Sequence, residues 1–446
     1  MKSVTPSVAA LCALLAVAAP AAHADGRQPA HIDSYGTKAP YAPEQNPASY
    51  SKAPAGFVPV FTENVSRHGS RAASDSEDGD LVLGLWNRAS AAGQLTRKGE
   101  EFGPKVRALL AAMDKVGYGN LSGRGRAEMR ATADRMAARV PSLFAAVAAK
   151  GEKIDVVSSG QGRAVDSANE YAGELAVKDP ALKPLIGVTR TDKDLLYFHK
   201  SAGGKAYQGY LANDQRLAAT LKSITDQPRT QRAANSVLRK IFKQSFIDGM
   251  QAEDRVAAAE AVYNLYAIAP AMIQESPGGK GWGLDRFISR TDAAWFGYLG
   301  DAEDFYEKGP GFADSDITYK MAGVLLDDFF KQVEAKKSGT SSLGAELRFT
   351  HAEEIIPLAA LMGLPGSTKP ATPGETYTYA NNPWRGAAVS PLGANIQWDV
   401  YQKGTRYLVR MLYNEKEVPF KAECEPVAKN STFYDFTELR RCFKRG

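Results

Sequence analysis

Cysteine and histidine are scarce in this chain of 446 residues, with three of the first and five of the second. No HExxH pair and no paired-cysteine spacing gathers zinc ligands, so no metal and no cofactor are expected. A serine nucleophile elbow is missing too. In SSGQG, Ser158 to Gly162, the serines precede the first glycine instead of standing between two. Lys and Arg, 55 against 50 Asp and Glu, form no polybasic run, which argues against nucleic acid or a lipid surface as partner. Beyond the leader, no apolar stretch reaches membrane-spanning length.

What is present begins with MKSVTPSVAALCALLAVAAPAAHADG. One positive charge, an apolar middle and Ala22-His23-Ala24 read as a signal peptide over 1–24, cleaved after Ala24, so a secreted or periplasmic protein is expected. Cleavage removes Lys2 and lowers the formal net charge from +5 to +4. So mild a basic excess suits an anionic small molecule. Cys12 leaves with the leader, and Cys424 and Cys442 are expected to pair in an oxidising compartment. That bridge is worth roughly 3 kcal/mol in the chain-entropy model; two free thiols are the competing reading.

The mature chain divides by pattern into 25–190, 191–343 and 344–446. Pro, Ala and Gly over 25–51 predict an extended arm on the surface. Phe57 to Ser66 reads as a buried strand despite Pro59, ending in RHGSR, Arg67 to Arg71. Helices follow, with Phe102, Val106, Leu109, Met113 and Val116 at helical spacing, and then Met129, Ala133, Met136 and Val140. Thr96 and Ser122 are placed to cap them. KIDVVSSGQGRAVDSANEYAGEL gives strand, turn and helix, with Arg163 in the turn. The middle segment is helical, Ile317, Met321, Val324, Leu325 and Phe329 tracing one face, and reads as a cap inserted between two α/β parts. The α/β pattern resumes at AELRFTHAEEIIPLAALMGL, and NIQWDVYQKGTRYLVRMLYNEKEVPF reads as a hairpin about KGT. Asn64, Asn120 and Asn430 begin glycosylation sequons, but Asn64 lies inside the buried strand.

The chemistry concentrates where strands run into turns. RHGSR sets an imidazole, His68, between the forks of Arg67 and Arg71, which can hold a dianion bidentately. Arg163 and His351 add positive charge or donors, and Glu353 adds a carboxylate. A phosphoryl group in transfer needs its three non-bridging oxygens compensated, a nucleophile in line and a proton for the departing oxygen. His68 would attack, forming a phosphohistidine; Glu353 would protonate the leaving group and then activate water. His199 reads as structural or exposed, and His31 lies in the arm.

RHGSR with a distal HAE resembles the histidine acid phosphatase branch of the histidine phosphatase superfamily, and HAE resembles its multiple inositol polyphosphate phosphatases in particular. The similarity continues through SYGTKAPY, LSGRG, RMAARVPSLF, VVSSGQGRAVDSANEY and the terminal hairpin, covering most of the mature chain. It implies an α/β sandwich domain with an inserted helical cap. It also implies a phosphatase, phytase-like, that takes phosphates from inositol hexakisphosphate in a wide cationic cleft. On this resemblance His68 is the nucleophile, Arg67, Arg71, Arg163 and His351 form the phosphate pocket, and Glu353 is the proton donor. Ala72-Ala73 departs from relatives with an aromatic or Pro there. Lys38, Arg190, Lys193, Lys200 and Lys205 are candidates for contacts to other substrate phosphates, each weighed against a solvated surface charge. Arg190 leads because it precedes TDKDLLYF, which resembles a family cap segment.

An exported monomer hydrolysing phytate and lower inositol phosphates is thus expected. A broad-specificity acid or sugar phosphatase is the nearest alternative, and a phosphate-binding protein without turnover the next. A mutase is disfavoured by the acid donor and by export.

Overall fold

Among the described residues eight strands build one mixed sheet: β1 (Val58–Arg67), β2 (Lys153–Ser158), β3 (Arg190–Thr191), β4 (Leu343–Thr350), β5 (Asn395–Lys403), β6 (Arg406–Tyr413), β7 (Lys416–Val418) and β8 (Phe433–Asp435). Their order is β3-β2-β4-β1-β5-β6-β7, with β8 pairing β6. β3, β2, β4 and β1 run parallel, while β5 lies antiparallel to β1 and opens the terminal meander. The computed structural model describes residues 34–445. The expected leader, its cleavage after Ala24, and His31 lie outside the described residues.

β1 owes its place to more than apolar residues. Phe61 and Val65 are buried, but so are Thr62, Glu63, Asn64 and Ser66. Most of these buried polar atoms are matched, as burial demands, Glu63 Oε1 being left without a partner among the described residues. Arg348 Nη1 donates to Glu63 Oε2 at 2.9 Å and its Nη2 to Asp328 Oδ2 at 2.7 Å. Thr62 Oγ1 donates to Asp399 Oδ1 at 2.9 Å, and Asp399 is itself held by Arg139 and Arg410. Pro59 is tolerated because the β1–β5 register shifts between Pro59 and Phe61, where no ladder donor is needed.

Both faces of the sheet are covered. Ile154, Val156, Leu347 and Phe349 pack with Met129, Met136, Phe144 and Tyr171 from the helices Gly123–Arg139, Pro141–Lys150 and Gly162–Lys178. Opposite them, Val65 and Trp398 join a larger core with Leu325, Phe329, Ile355 and Ile356. This accounts for near-continuous burial along β4, as a central parallel strand requires. Of the residues placed at helical spacing, Phe102, Val106, Leu109, Met113, Met129, Ala133, Met136 and Val140 are buried, while Val116, the last residue of its helix, is half-buried. Ser122 caps as expected, its hydroxyl accepting from Gly125 N–H. β5 and β6 turn about Gly404, whose φ of +58° suits the two-residue loop between Lys403 and Arg406.

Between β3 and β4 the chain runs through helices that include Lys205–Asn213, Pro228–Leu238, Ala252–Ile268 and Arg290–Glu307. Two expectations are corrected. The helix before β4 starts at Gly323, so Ile317 and Met321 precede it and Val324 is exposed; Leu325, Leu326, Phe329, Phe330 and Val333 make its buried face. The arm is not a surface wrap throughout either. Gly36, Ala39 and Tyr41 are buried, and Tyr41 hydroxyl donates to Glu415 Oε2 at 2.8 Å. Cys424 and Cys442 are bridged, with Cα atoms 5.3 Å apart. No helix among the described residues is long and apolar enough to cross a membrane.

Candidate active site

The parallel order β2-β4-β1 brings three carboxyl ends to one edge of the sheet, where ligands of such sheets collect. β1 delivers Arg67 and His68, β2 delivers Ser159 with Arg163 in the first turn of the next helix, and β4 delivers His351 with Glu353 in the helix Ala352–Leu361. The backbone ties them together. His68 N–H donates to Thr350 O at 2.9 Å, Arg67 N–H to Ala394 O at 2.7 Å, and Gly393 N–H to His68 O at 2.9 Å.

The RHGSR loop is held from below. Glu128 accepts from Ser70 N–H at Oε2 and from Ser70 Oγ at Oε1, both at 2.9 Å, and Arg124 Nε adds a third bond at 2.9 Å. Ser122 N–H donates to Ser70 O at 3.0 Å. Two glycines permit the approach: a Cβ on Gly69 would stand 2.6 Å from Gly125 O, and one on Gly125 would overlap Ser70 O.

Within this frame the tautomer of His68 is fixed. Its Nδ1 lies 3.0 Å from Gly69 O, which can only accept, so the proton sits on Nδ1 and the Nε2 lone pair is free. Burial, then Arg67, His351, Arg71 and Arg163, push its pKa well below the usual imidazole value. The ring is neutral, as a nucleophile must be. His351 lies edge-on to it, with ring centroids 5.4 Å apart. Its Nε2 meets Ser159 Oγ at 2.8 Å. Ser159 Oγ also accepts from Gln161 N–H, and His351 Nδ1 has no partner among the described residues; in the tautomer whose Nε2 accepts from the Ser159 hydroxyl, Nδ1–H is an open donor. Burial and Arg163 lower His351 to about 3.

The arginines are crowded. Burial and neighbouring guanidiniums bring Arg67 and Arg71 down to about 10, still charged at neutral pH. Arg67 Nη1 donates to Thr37 O and Ser390 O, both at 2.6 Å, and Arg71 Nη1 to Ala72 O at 2.8 Å. The buried Nε atoms of Arg67, Arg71 and Arg163 have no partner among the described residues. Buried donors without acceptors cost free energy that an anion with several oxygens would recover.

Glu353 acts electrostatically on Arg67, Arg71 and His351. Burial works to raise its carboxyl, but Lys308, His199, its own amide and His351 outweigh that and hold it at about 2. Among the protein's own charges it is therefore already a carboxylate. Glu354, the next residue, points away into the core. It meets His199 Nδ1 at 2.5 Å and Thr350 Oγ1 at 2.9 Å, and burial raises its pKa. His199 is thus structural.

The other candidates separate. Lys38 lies beside Arg71 on a cavity wall, with its Nζ donating to Asn264 Oδ1 at 2.8 Å. Arg190 is corrected: its guanidinium meets Asp155 at 2.8 Å, Asp192 at 3.5 Å and Glu346 at 3.8 Å, so its charge is spent within the protein. Lys193, Lys200 and Lys205 are exposed on the helical segment, away from the walls of the two cavities that Lys38 lines. Sequence reasoning missed Lys308, Ser159 and Glu128. Lys308 stood in EKGPG, where a cation closing a helix is an ordinary dipole partner, and its neighbour Glu353 is 45 residues away in sequence.

Three arginines converging on a neutral imidazole at the edge of a mixed sheet define a class of phosphoryl-handling enzymes. Residues 61–414 match the sequence model of the histidine phosphatase superfamily (branch 2), and the chain belongs to that family. It is a phosphatase, hydrolysing phosphoric monoesters. Its relatives narrow the class further. Multiple inositol polyphosphate phosphatase 1 of Gallus gallus is 25% identical over 438 residues, covering 92% of this chain and 89% of its own. The Bifidobacterium longum multiple inositol polyphosphate phosphatase, solved in complex with inositol hexasulfate, is similar with a TM-score of 0.86. It is 34% identical, with 92% of this chain and 97% of that chain covered. The phosphate complex of the same protein gives a TM-score of 0.85 at 33% identity over 92% and 97% of the two chains.

Proposed function

We propose that this chain is an exported phosphatase that removes phosphates from inositol hexakisphosphate and lower inositol phosphates through a phosphohistidine. The likeness to inositol polyphosphate phosphatases supports the substrate class, and the leader with the Cys424–Cys442 bridge supports export. The observation that carries the mechanism is the free Nε2 of His68, pinned by Gly69 O inside a cage of arginine donors without partners.

The phosphoryl oxygens take the donors of Arg67, Arg71 and Arg163 and the His351 Nδ1–H. His68 Nε2 attacks phosphorus; the P–N bond forms as the ester P–O bond breaks. The departing oxygen takes a proton from Glu353, and water, losing a proton to the same carboxylate, then breaks the P–N bond and frees phosphate. Because Glu353 is held ionised by its surroundings, the first proton arrives with the substrate. A phosphate monoester carries it below a second pKa of roughly 6, and the anion bound beside Glu353 favours its transfer to the carboxylate.

The test is to quench a single turnover of inositol hexakisphosphate and digest for the peptide carrying His68. Acid-labile phosphate on that ring is expected. Absence of it, with full turnover, or activity retained in His68→Ala, refutes the mechanism.

A further inference from the structure

Arg67 Nη1 rests on two carbonyls, Thr37 O in the short turn Gly36–Lys38 and Ser390 O just after the four-residue helix Gly386–Val389, each at 2.6 Å. Neither carbonyl belongs to a strand of the sheet. What joins the two segments is a side chain of the helix Arg290–Glu307. Asp301 is 1% exposed, and its Oδ2 accepts from Gly386 N–H at 3.0 Å and from Tyr379 hydroxyl at 2.6 Å. Its Oδ1 lies against the turn: a Cβ on Gly36 would stand 3.1 Å from it, and one on Gly386 2.4 Å from it and 2.9 Å from Thr37 N. One helical turn later Asp304 Oδ2 accepts from Thr37 Oγ1 at 3.1 Å, with Lys308 Nζ on Asp304 Oδ1 at 2.5 Å.

The helix thus grips both carbonyl-bearing segments, and the packing of Asp301, Thr37 and Gly386 leaves no room for a methyl group among them. Burial raises the Asp301 carboxyl to about 7; Asp304 adds to the rise, while Tyr379, the Gly386 N–H and Arg385 work against it. In mild acid it is accordingly a neutral wedge, able to stay buried near Asp304 without charge repulsion. Thr37 and Ser390 stand between it and Arg67, so it reaches the guanidinium through the backbone it holds.

We infer that Asp301 is a positioning residue of the phosphate cage, which fixes the Gly386–Val389 helix against the Gly36–Lys38 turn and thereby sets where the Arg67 fork points. This role rests on the function proposed above, in which Arg67 holds the phosphoryl group. An arginine serves a phosphate through the fixed geometry of its fork, so a shift in its two backbone acceptors misdirects the donors it offers the substrate.

The experiment is a double-mutant cycle of Asp301→Ala with Arg67→Ala, read in kcat/KM on 4-nitrophenyl phosphate and in Ki for inorganic phosphate. In the otherwise wild-type chain Asp301→Ala lowers kcat/KM and raises Ki, each about tenfold or more. In the Arg67→Ala chain it changes either quantity by no more than about twofold, because the residue it positions is gone. A merely structural role lowers the folded fraction, which reduces kcat and leaves Ki in place. If Asp301→Ala does not fold, Gly386→Ala carries the same cycle, since it keeps every polar partner and forces the three residues apart. Equal losses in both backgrounds, or an unmoved Ki, overturn the inference while the cage stands. If Arg67→Ala itself leaves the rate and Ki unchanged, Arg67 holds no phosphate, and the cage and this role fall together.

Discussion

Glu128 makes no contact with the arginines' open donors, yet its loss should cost catalysis as well as stability. Its carboxylate, 9% exposed, accepts from Ser70 N–H, Ser70 Oγ and Arg124 Nε at 2.9 Å each. In Glu128→Gln one oxygen can still serve Ser70, but the amide nitrogen brings a donor to a place that needs an acceptor. Hydrogen bonds to a charged group are worth about 1.5–3 kcal/mol each. The Arg124 pair is a third exposed on the arginine side and adds about 0–1 kcal/mol. A net loss of about 3 kcal/mol in urea unfolding follows. Ser122 N–H on Ser70 O and Ser167 Oγ on Gly69 N–H keep the loop attached, so it shifts without detaching. A displacement of about 1 Å at a reacting group costs on the order of a hundredfold. Rates on 4-nitrophenyl phosphate should therefore fall by about that factor, while Ser70→Ala, which removes one bond, loses about 1 kcal/mol and less activity. Glu128→Gln with lowered stability and a rate within about twofold of wild type would refute the reasoning.

Glu353→Gln should lower kcat on an alkyl phosphate by about 10²–10⁴ and act far less on 4-nitrophenyl phosphate, whose leaving group needs no proton; equal losses would remove Glu353 from the donor role. Because the proton enters with the substrate, kcat/KM on an alkyl phosphate should be level in mild acid and decline above roughly pH 6, and a decline starting near pH 2 to 3 would contradict it. Asp399→Asn removes the one carboxylate that Arg139 pairs with and leaves Arg410 with Glu417 alone, and should cost about 3 kcal/mol in urea unfolding. Asp399 is held below the ordinary carboxylate range despite burial, by Arg139 and Arg410, so its contribution is full above its unfolded pKa of about 3.9 and is lost as pH falls through the folded value. The variant should show a shallower loss of stability below pH 4, and an unchanged slope would count against the assignment.

The parts legible in the sequence were those with local causes. RHGSR and HAE end strands whose burial pattern is visible in a few residues, and three such turns in a parallel sheet must meet at one edge. The capping role of Ser122 and the two-residue hairpin at Gly404 are equally local. What escaped was set by pairings across hundreds of residues. Arg190 looked like a free cation because Asp155 and Glu346, which neutralise it, come from neighbouring strands. Lys308 looked like a helix-terminal charge because the carboxylate it governs lies on another element. The helix starting at Gly323 was drawn too early since Ile317 and Met321 keep a helical spacing with it while packing from a turn.

The pair Glu353-Glu354 shows how the fold assigns different states to neighbouring carboxyls. One faces Lys308 and the histidines and is held as an anion; the other is sealed beneath the site against His199 and Thr350, where burial raises its pKa. An acid already protonated in the protein's own field would need no substrate proton, but it would also bring no charge to balance Arg67 and Arg71. With Glu353 ionised, the cage carries less net positive charge until a phosphate enters, and the incoming monoanion, acidified by the arginines that clamp it, gives its proton to the carboxylate and becomes the dianion. Binding and proton delivery become one event. The arginines that hold the phosphate are thereby also what makes its proton available to the leaving oxygen, which ties the choice of a strong, crowded cage to the choice of a glutamate inside it.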